Sequence, residues 1–390
     1  MDASRPPTLD HDPPTHPLRT GRRAGRRRTR AIVLVVALLL VAAVPAWSVG
    51  AALVVPGSDS VAARLAEWGR DHGLGGVVTW LESVQYQLNP PPVGGTPAGG
   101  IPHAVAPPQA PAPRRPTSLP APPPLTPMAG GPALPGEGRW QTTATVHGQP
   151  AVRVAYLRPD PVHTSEVAGV MWIDPTLVKG QLHPGYQDPG GTWKAATSLS
   201  PAQRPGTLAV FNGGFRLLTG DSHGGYYSEG RTAVPLVDGA ASLVLRKDGT
   251  ATVGTWNQEV RMTANVASVR QNLVPLVDNG AVNPRCATGG QALWGRTIGD
   301  TAYIDRSAFG VTADGAEVYV AGRSLSVCSL ANLLHDAGVV RGMELDINPA
   351  WVSGAYFQPG GPTRLYPDEK VGAQHYYLPS SRDWYSWSAR

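Results

Sequence analysis

The chain of 390 residues is short of cysteine: only Cys286 and Cys328 occur. Neither stands in a metal-ligand spacing, and the ten histidines include no HExxH pair, so a zinc protease has no ligand set to draw on. No P-loop appears and no serine nucleophile elbow is expected, which leaves NTPase and serine-hydrolase readings without support. Net charge is missing from most of the chain. Eight Arg and three Asp fall in residues 1–30, and the remainder holds 25 basic and 25 acidic residues. The pI near 9.3 therefore belongs to the tail, and nucleic acid is not an expected partner.

No charged residue occurs from Ala31 to Val55, a run long enough to cross a bilayer as a helix. The basic tail before it predicts a cytoplasmic residue 1–30 segment, a transmembrane helix over 31–55 and an extracellular bulk, placing the protein in a cell membrane as a single-pass chain. A signal peptide cleaved after Val44-Pro45-Ala46 is the competing reading, and it exports the same bulk. Residues 56–89 carry two short apolar stripes at helical spacing and are expected as a membrane-proximal helical segment. Residues 90–138 hold 17 of the 40 prolines and no acid before Glu137, so they cannot bury a core of their own and are expected as an extended linker.

Residues 139–390 have the size of one domain. Strands are predicted at Trp140–Thr145, Ala151–Leu157 and 171–174. Hairpins are predicted at Ala241–Val253 and Phe309–Val320, each turning at an Asp-Gly pair. Leu330, Leu333, Leu334 and Ala337 keep helical spacing before Gly338. The expected fold class is α+β: one mixed sheet with helices packed behind it. Cys286 and Cys328 either form a disulfide in an oxidising compartment or stay as two separate thiols.

The segment Met343–Asn348 alternates. Met343, Leu345 and Ile347 point one way, while Glu344, Asp346 and Asn348 point the other. Two carboxylates and an amide on one strand face are costly unless they meet water, a cation or a polar substrate. Arg306, beside the small Ala308 and Gly310, is expected to face a ligand. Asn212, Gly213, Gly214 and Arg216 suit a ligand-binding loop at a strand end, or a glycine turn that needs positive φ. The loop His223–Arg231 is either a substrate lid, with His223 and Arg231 at the ligand, or a plain surface hairpin. A structural ion-pair network is the competing account of Arg306, Glu344 and Asp346.

These segments resemble the phosphodiester glycosidase family, and identify the chain as a membrane-anchored bacterial member. The resemblance runs from about Arg153 to Asn348 and rests on Asn-Gly-Gly-Phe at 212–215, Arg-x-Ala-x-Gly at 306–310 and Leu345-Asp346. The family pattern continues with glycines and a serine, where this chain has Ile347-Asn348-Pro349-Ala350-Trp351, and Pro349 cannot donate a backbone hydrogen bond. The resemblance implies hydrolysis of a sugar-1-phosphodiester, here in a cell-envelope glycan. It implies Asp346 as base or nucleophile, Glu344 or Glu229 as its helper or substitute, and Arg306 and Asn348 among the phosphate contacts. No cofactor is implied, and a divalent cation stays open. The alternative is a non-catalytic module that binds glycan or phosphate on the same fold, or a scaffold built on the linker.

Overall fold

The computed structural model describes residues 21–57, 59–107, 118–217, 220–297 and 302–390, with the side chains of 21–27 and 38–42 left aside. The chain forms two compact units, Met1–Val55 and Pro56–Arg390. In the first, Gly21–Val54 is one helix, α1; residues 1–20 of the basic tail lie outside the described residues. Six arginines crowd the first ten residues of α1, and Pro45, Ser48 and Gly50 dilute its last third. Among the described residues no helix is long and apolar enough to cross a membrane. The expected membrane span, and with it the single-pass placement, is overturned.

The second unit starts with helices α2 (Val61–Asp71) and α3 (Gly75–Leu88). Its strands are β1 (Gln141–Val146), β2 (Gln149–Leu157), β3 (Ala168–Ile173), β4 (Val178–His183), β5 (Thr207–Asn212), β6 (Tyr226–Ser228), β7 (Arg231–Val234), β8 (Ala241–Arg246) and β9 (Ala251–Thr255). Then follow β10 (Val266–Gln271), β11 (Pro275–Asp278), β12 (Ala281–Val282), helix α4 (Gly290–Trp294), β13 (Ile304–Thr312), β14 (Glu317–Leu325) and helix α5 (Val327–Asp336). The last strands are β15 (Val339–Glu344), β16 (Gly354–Gln358), β17 (Gly361–Arg364) and β18 (Trp384–Ala389).

They pair into three sheets, in the orders β1-β2-β3-β14-β13-β15-β11-β12, β7-β6-β10-β8-β9 and β17-β16-β5-β18-β4. Every strand pair is antiparallel. Strands take 31% of the chain and helices 20%. The expectation of one mixed sheet with helices behind it is therefore corrected to three antiparallel sheets, one of them backed by the single ten-residue helix α5. Both faces of the eight-stranded sheet are covered, which explains its nearly continuous apolar strands. Phe309, Tyr319, Met171 and Val154 face a core shared with Phe211, Tyr385 and Trp387 of another sheet. Ala308, Val318, Val320 and Val170 face Leu330, Leu333 and Leu334 of α5. Ser326 caps α5 by accepting from the Ser329 amide, and a Cys286–Cys328 disulfide ties its first turn to the loop before α4.

The proline-rich stretch is not a free linker where it is described. Ile101 and Leu125 are each only 4% exposed and join the two faces of the large sheet. Their neighbours hold the backbone down: the Leu119 amide donates to Asp174 (2.8 Å), Leu125 to the Gly138 carbonyl (2.9 Å), and Gly94 to the Val162 carbonyl (2.7 Å). A chain too poor to build a core can still be anchored on one by a few isolated apolar residues.

Candidate active site

β15 ends at Glu344, and the polar row expected along 344–348 separates there. Glu344 is fully buried and accepts from Arg306 Nη1 at 2.6 Å. Arg306 also donates to the carbonyls of Leu325 (2.9 Å) and Ala302 (3.4 Å), so this guanidinium is consumed inside the fold. Burial pushes the Glu344 carboxyl up, and Arg306 opposes that shift. The rest of the Arg-x-Ala-x-Gly segment is structural as well. Ala308 lies under α5, and a Cβ on Gly310 would come within 2.8 Å of the Arg341 carbonyl oxygen.

Asp346 is placed differently. Its Oδ1 accepts from the amides of Ile347 (2.7 Å) and Asn348 (2.9 Å), a short turn that fixes the carboxylate. Its Oδ2 stands 3.7 Å from Arg382 Nη2. Burial raises its pKa to about 6, against the opposing pull of Arg382 and the two amides. A carboxyl in that range is suited to proton transfer near neutral pH. Around it lies a small cavity lined by Asn212, Gly213, Trp351, Ser353, His375, Tyr376, Ser380, Arg382, Asp383 and Trp384.

Three predicted residues thus reach one place: Asn212, Gly213 and Asp346. Asn212 is a strut. Its Nδ2 donates to Ser307 Oγ (3.0 Å) and the Gly213 carbonyl (2.6 Å), and its Oδ1 accepts from Tyr319 Oη (2.7 Å) and the Ser353 amide (3.1 Å). The paired glycines do not serve the expected left-handed turn. Neither has a positive φ. They are glycines because a buried ion pair passes against them: a Cβ on Gly213 would lie 2.5 Å from the Asp383 carboxyl carbon, and one on Gly214 3.1 Å from Arg270 Nη1. Arg270 Nε donates to Asp383 Oδ2 at 2.7 Å, with both side chains fully buried.

Other predicted residues hold the frame. Asn348 Oδ1 caps the next turn by accepting from the Ala350 amide (2.9 Å). Glu229 accepts from the amides of Lys194 (2.8 Å) and Ala195 (2.7 Å), while Arg231 lies over the Trp193 ring at 3.6 Å and donates to the Thr192 carbonyl. Both clamp the 192–195 loop. His223 is exposed, with φ of 48°. Beside it, Gly220-Asp221-Ser222-His223-Gly224 has the G-x-S-x-G spacing of a serine nucleophile elbow. Ser222 is nonetheless buried and donates to the Gly224 carbonyl, and β6 follows instead of a helix, so it is not a nucleophile elbow.

Arg382 was invisible in the motifs and is the decisive addition. It sits just before β18, set by Ser380, whose Oγ donates to the Arg382 carbonyl at 2.7 Å. Its guanidinium donates to the Gly214 carbonyl at 3.4 Å. Asp346 and Asp188 stand at 3.7 Å and Glu67 at 3.8 Å. The Trp351 ring lies 5.3 Å beneath the guanidinium. Arg270 and Arg306 are each locked at 2.6–2.7 Å by one carboxylate. Arg382 is held near three carboxylates and closed onto none. Arg216 lies alongside, its Nη1 3.1 Å from Glu67 and its Nη2 2.8 Å from Asp71.

No protein-family model matches the chain, and no curated protein matches it. Among solved structures it is similar to the catalytic domain of zebrafish N-acetylglucosamine-1-phosphodiester alpha-N-acetylglucosaminidase, auto-inhibited by pro-peptide, with 16% identity and a TM-score of 0.42 over 65% of this chain and 88% of that one. It is also similar to a hypothetical protein from Synechocystis, with 12% identity and a TM-score of 0.38 over 64% of each chain. Likeness at this level carries no argument about chemistry, which rests on the site itself.

Proposed function

We propose that the chain is a hydrolase that cleaves the C–O bond of a sugar-1-phosphodiester. The observation that carries the proposal is the pairing of Asp346, a buried carboxyl near pKa 6, with Arg382, a cation that no carboxylate has closed on. Asp346 takes the proton of a water that attacks the anomeric carbon. The C–O bond breaks, the oxygen leaves with its electron pair on the phosphate, and Arg382 meets the charge that develops there.

Glycosidases ordinarily need two carboxyl groups, one of them to protonate the leaving oxygen. Here Asp383 is tied to Arg270 and Glu344 to Arg306, which leaves one carboxylate with an open oxygen at the cavity. One is enough when the leaving group is a phosphate, because that oxygen departs as a stable anion and needs little protonation. The same count disfavours an ordinary glycoside as substrate.

Incubation of the chain with a panel of sugar-1-phosphodiesters, read as release of reducing sugar, tests the reading. Turnover of at least one diester, with none of the matching alkyl glycoside, is the expected result. Binding of diesters without turnover would replace it by the glycan- and phosphate-binding module.

A further inference from the structure

Helix α2 buries a carboxylate and leaves two aliphatic side chains in solvent. Its apolar Val61 and Leu65 are 63% and 40% exposed, whereas Glu67 is only 6% exposed and faces the domain. Burying a carboxylate on an amphipathic helix while leaving its aliphatic residues in solvent is unfavourable unless the carboxylate meets cations. Glu67 meets two besides its own neighbour Arg70. Oε2 is 3.1 Å from Arg216 Nη1, and Oε1 is 3.8 Å from Arg382 Nη1.

Asp71, one turn further on the same face, adds a 2.8 Å contact to Arg216 Nη2. Arg70 pairs with Glu82 of α3 at 2.6 Å, which holds the two helices as a hairpin. The segment before α2 continues the cover. Asp59 accepts from Tyr186 Oη at 3.4 Å, and its charge opposes the lowering of the buried His375 imidazole in the cavity wall. Beside Arg382 the small cavity holds about 10 Å³, of the order of one water.

We propose that Arg216 and Arg382 together form the subsite for the single negative charge of a phosphodiester, and that the Glu67 carboxylate fills it in this conformation as an internal substitute. The assignment rests on the hydrolase reading for the identity of the ligand. Its geometry is independent: one carboxylate already bridges two guanidiniums, and Arg382 joins that bridge to Asp346 on its other side. Lifting α2 removes Glu67 and Asp71 together, which frees Arg216 of both its close carboxylates and leaves Arg382 with Asp346 and Asp188. A phosphodiester oxygen seated there would hold its anomeric carbon on the Asp346 side of Arg382. The α2–α3 hairpin thus competes with substrate for the same two cations.

The test uses the full chain and dimethyl phosphate, the simplest phosphodiester, with binding followed by calorimetry. Glu67→Gln keeps the shape of the side chain and removes the charge, and it is expected to tighten dimethyl phosphate binding at least about tenfold. Adding Arg382→Ala to Glu67→Gln is expected to abolish that gain. Asp71→Asn, at the solvent edge of the same contact, gives a smaller gain and serves if the Gln variant does not fold. Unchanged affinity in a folded Glu67→Gln or Asp71→Asn chain overturns the subsite, as does a gain that persists without Arg382. Tighter binding without turnover of any sugar-1-phosphodiester leaves the subsite standing and refutes the hydrolase instead.

Discussion

Asp346→Asn separates a carboxylate kept for chemistry from one kept for stability. The carboxyl is buried, and its pKa rises from an ordinary 3.8 to about 6. A folded-state pKa above the unfolded value means that the fold prefers the protonated form. Below the unfolded value the group costs nothing. Between that value and about 6 the unfolded chain releases a proton that the native chain retains, so stability falls as pH rises. Above about 6 the full penalty is present, on the order of 1–3 kcal/mol. Asparagine retains an oxygen for the Ile347 and Asn348 amides and removes the charge. The variant is expected to be more stable than the parent in urea at pH ~7.5 and equal to it near pH ~4. Turnover should fall at least about 10²-fold. In the parent, turnover should climb with pH through about 6, as the base loses its proton. A variant less stable than the parent at neutral pH would show that Asp346 is a structural anion and would sink the assignment, whatever happened to turnover.

Arg306→Ala should act on stability. It leaves Glu344 buried without its 2.6 Å partner, a loss of about 3–5 kcal/mol readable in the urea midpoint, and binding of dimethyl phosphate by the surviving folded fraction should be unchanged. Weakened diester binding with unchanged stability would restore Arg306 as a ligand contact. Leu125→Ala, in the proline-rich stretch, should cost about 2–4 kcal/mol in the same assay, because the side chain is 4% exposed against the α5 face of the large sheet. No effect would return that stretch to the status of a free linker.

Local patterns in the sequence were legible wherever neighbours in the chain are also neighbours in space. The Asp-Gly turns place β8 against β9 and β13 against β14, and leucine spacing places α5, because the contacts involved are a few residues apart. The sheet count was not legible. β5 pairs with β16 and β18, near the end of the chain, and no periodicity announces so distant a partner. The same distance concealed half the site. Asp346 stood out as a carboxylate in an apolar strand pattern, but the cation that completes it belongs to Ser380-Ser381-Arg382-Asp383-Trp384, a segment with no period at all.

Arg306 owes its place to a distant neighbour as well. Alternation placed Arg306 and Glu344 on one polar face, and the small residues beside Arg306 suggested open space for a ligand. β13 and β15 are adjacent, with Ala308 opposite Glu344, so that space is filled by α5 and the two charges meet each other. A cation and a carboxylate on neighbouring strands satisfy each other at 2.6 Å before either can serve a substrate. The cation that remains for chemistry is the one the fold keeps from closing. At Arg382 this is achieved by three carboxylates, each held at 3.7–3.8 Å, and one of these, Glu67, arrives on a helix whose Val61 and Leu65 are left in water.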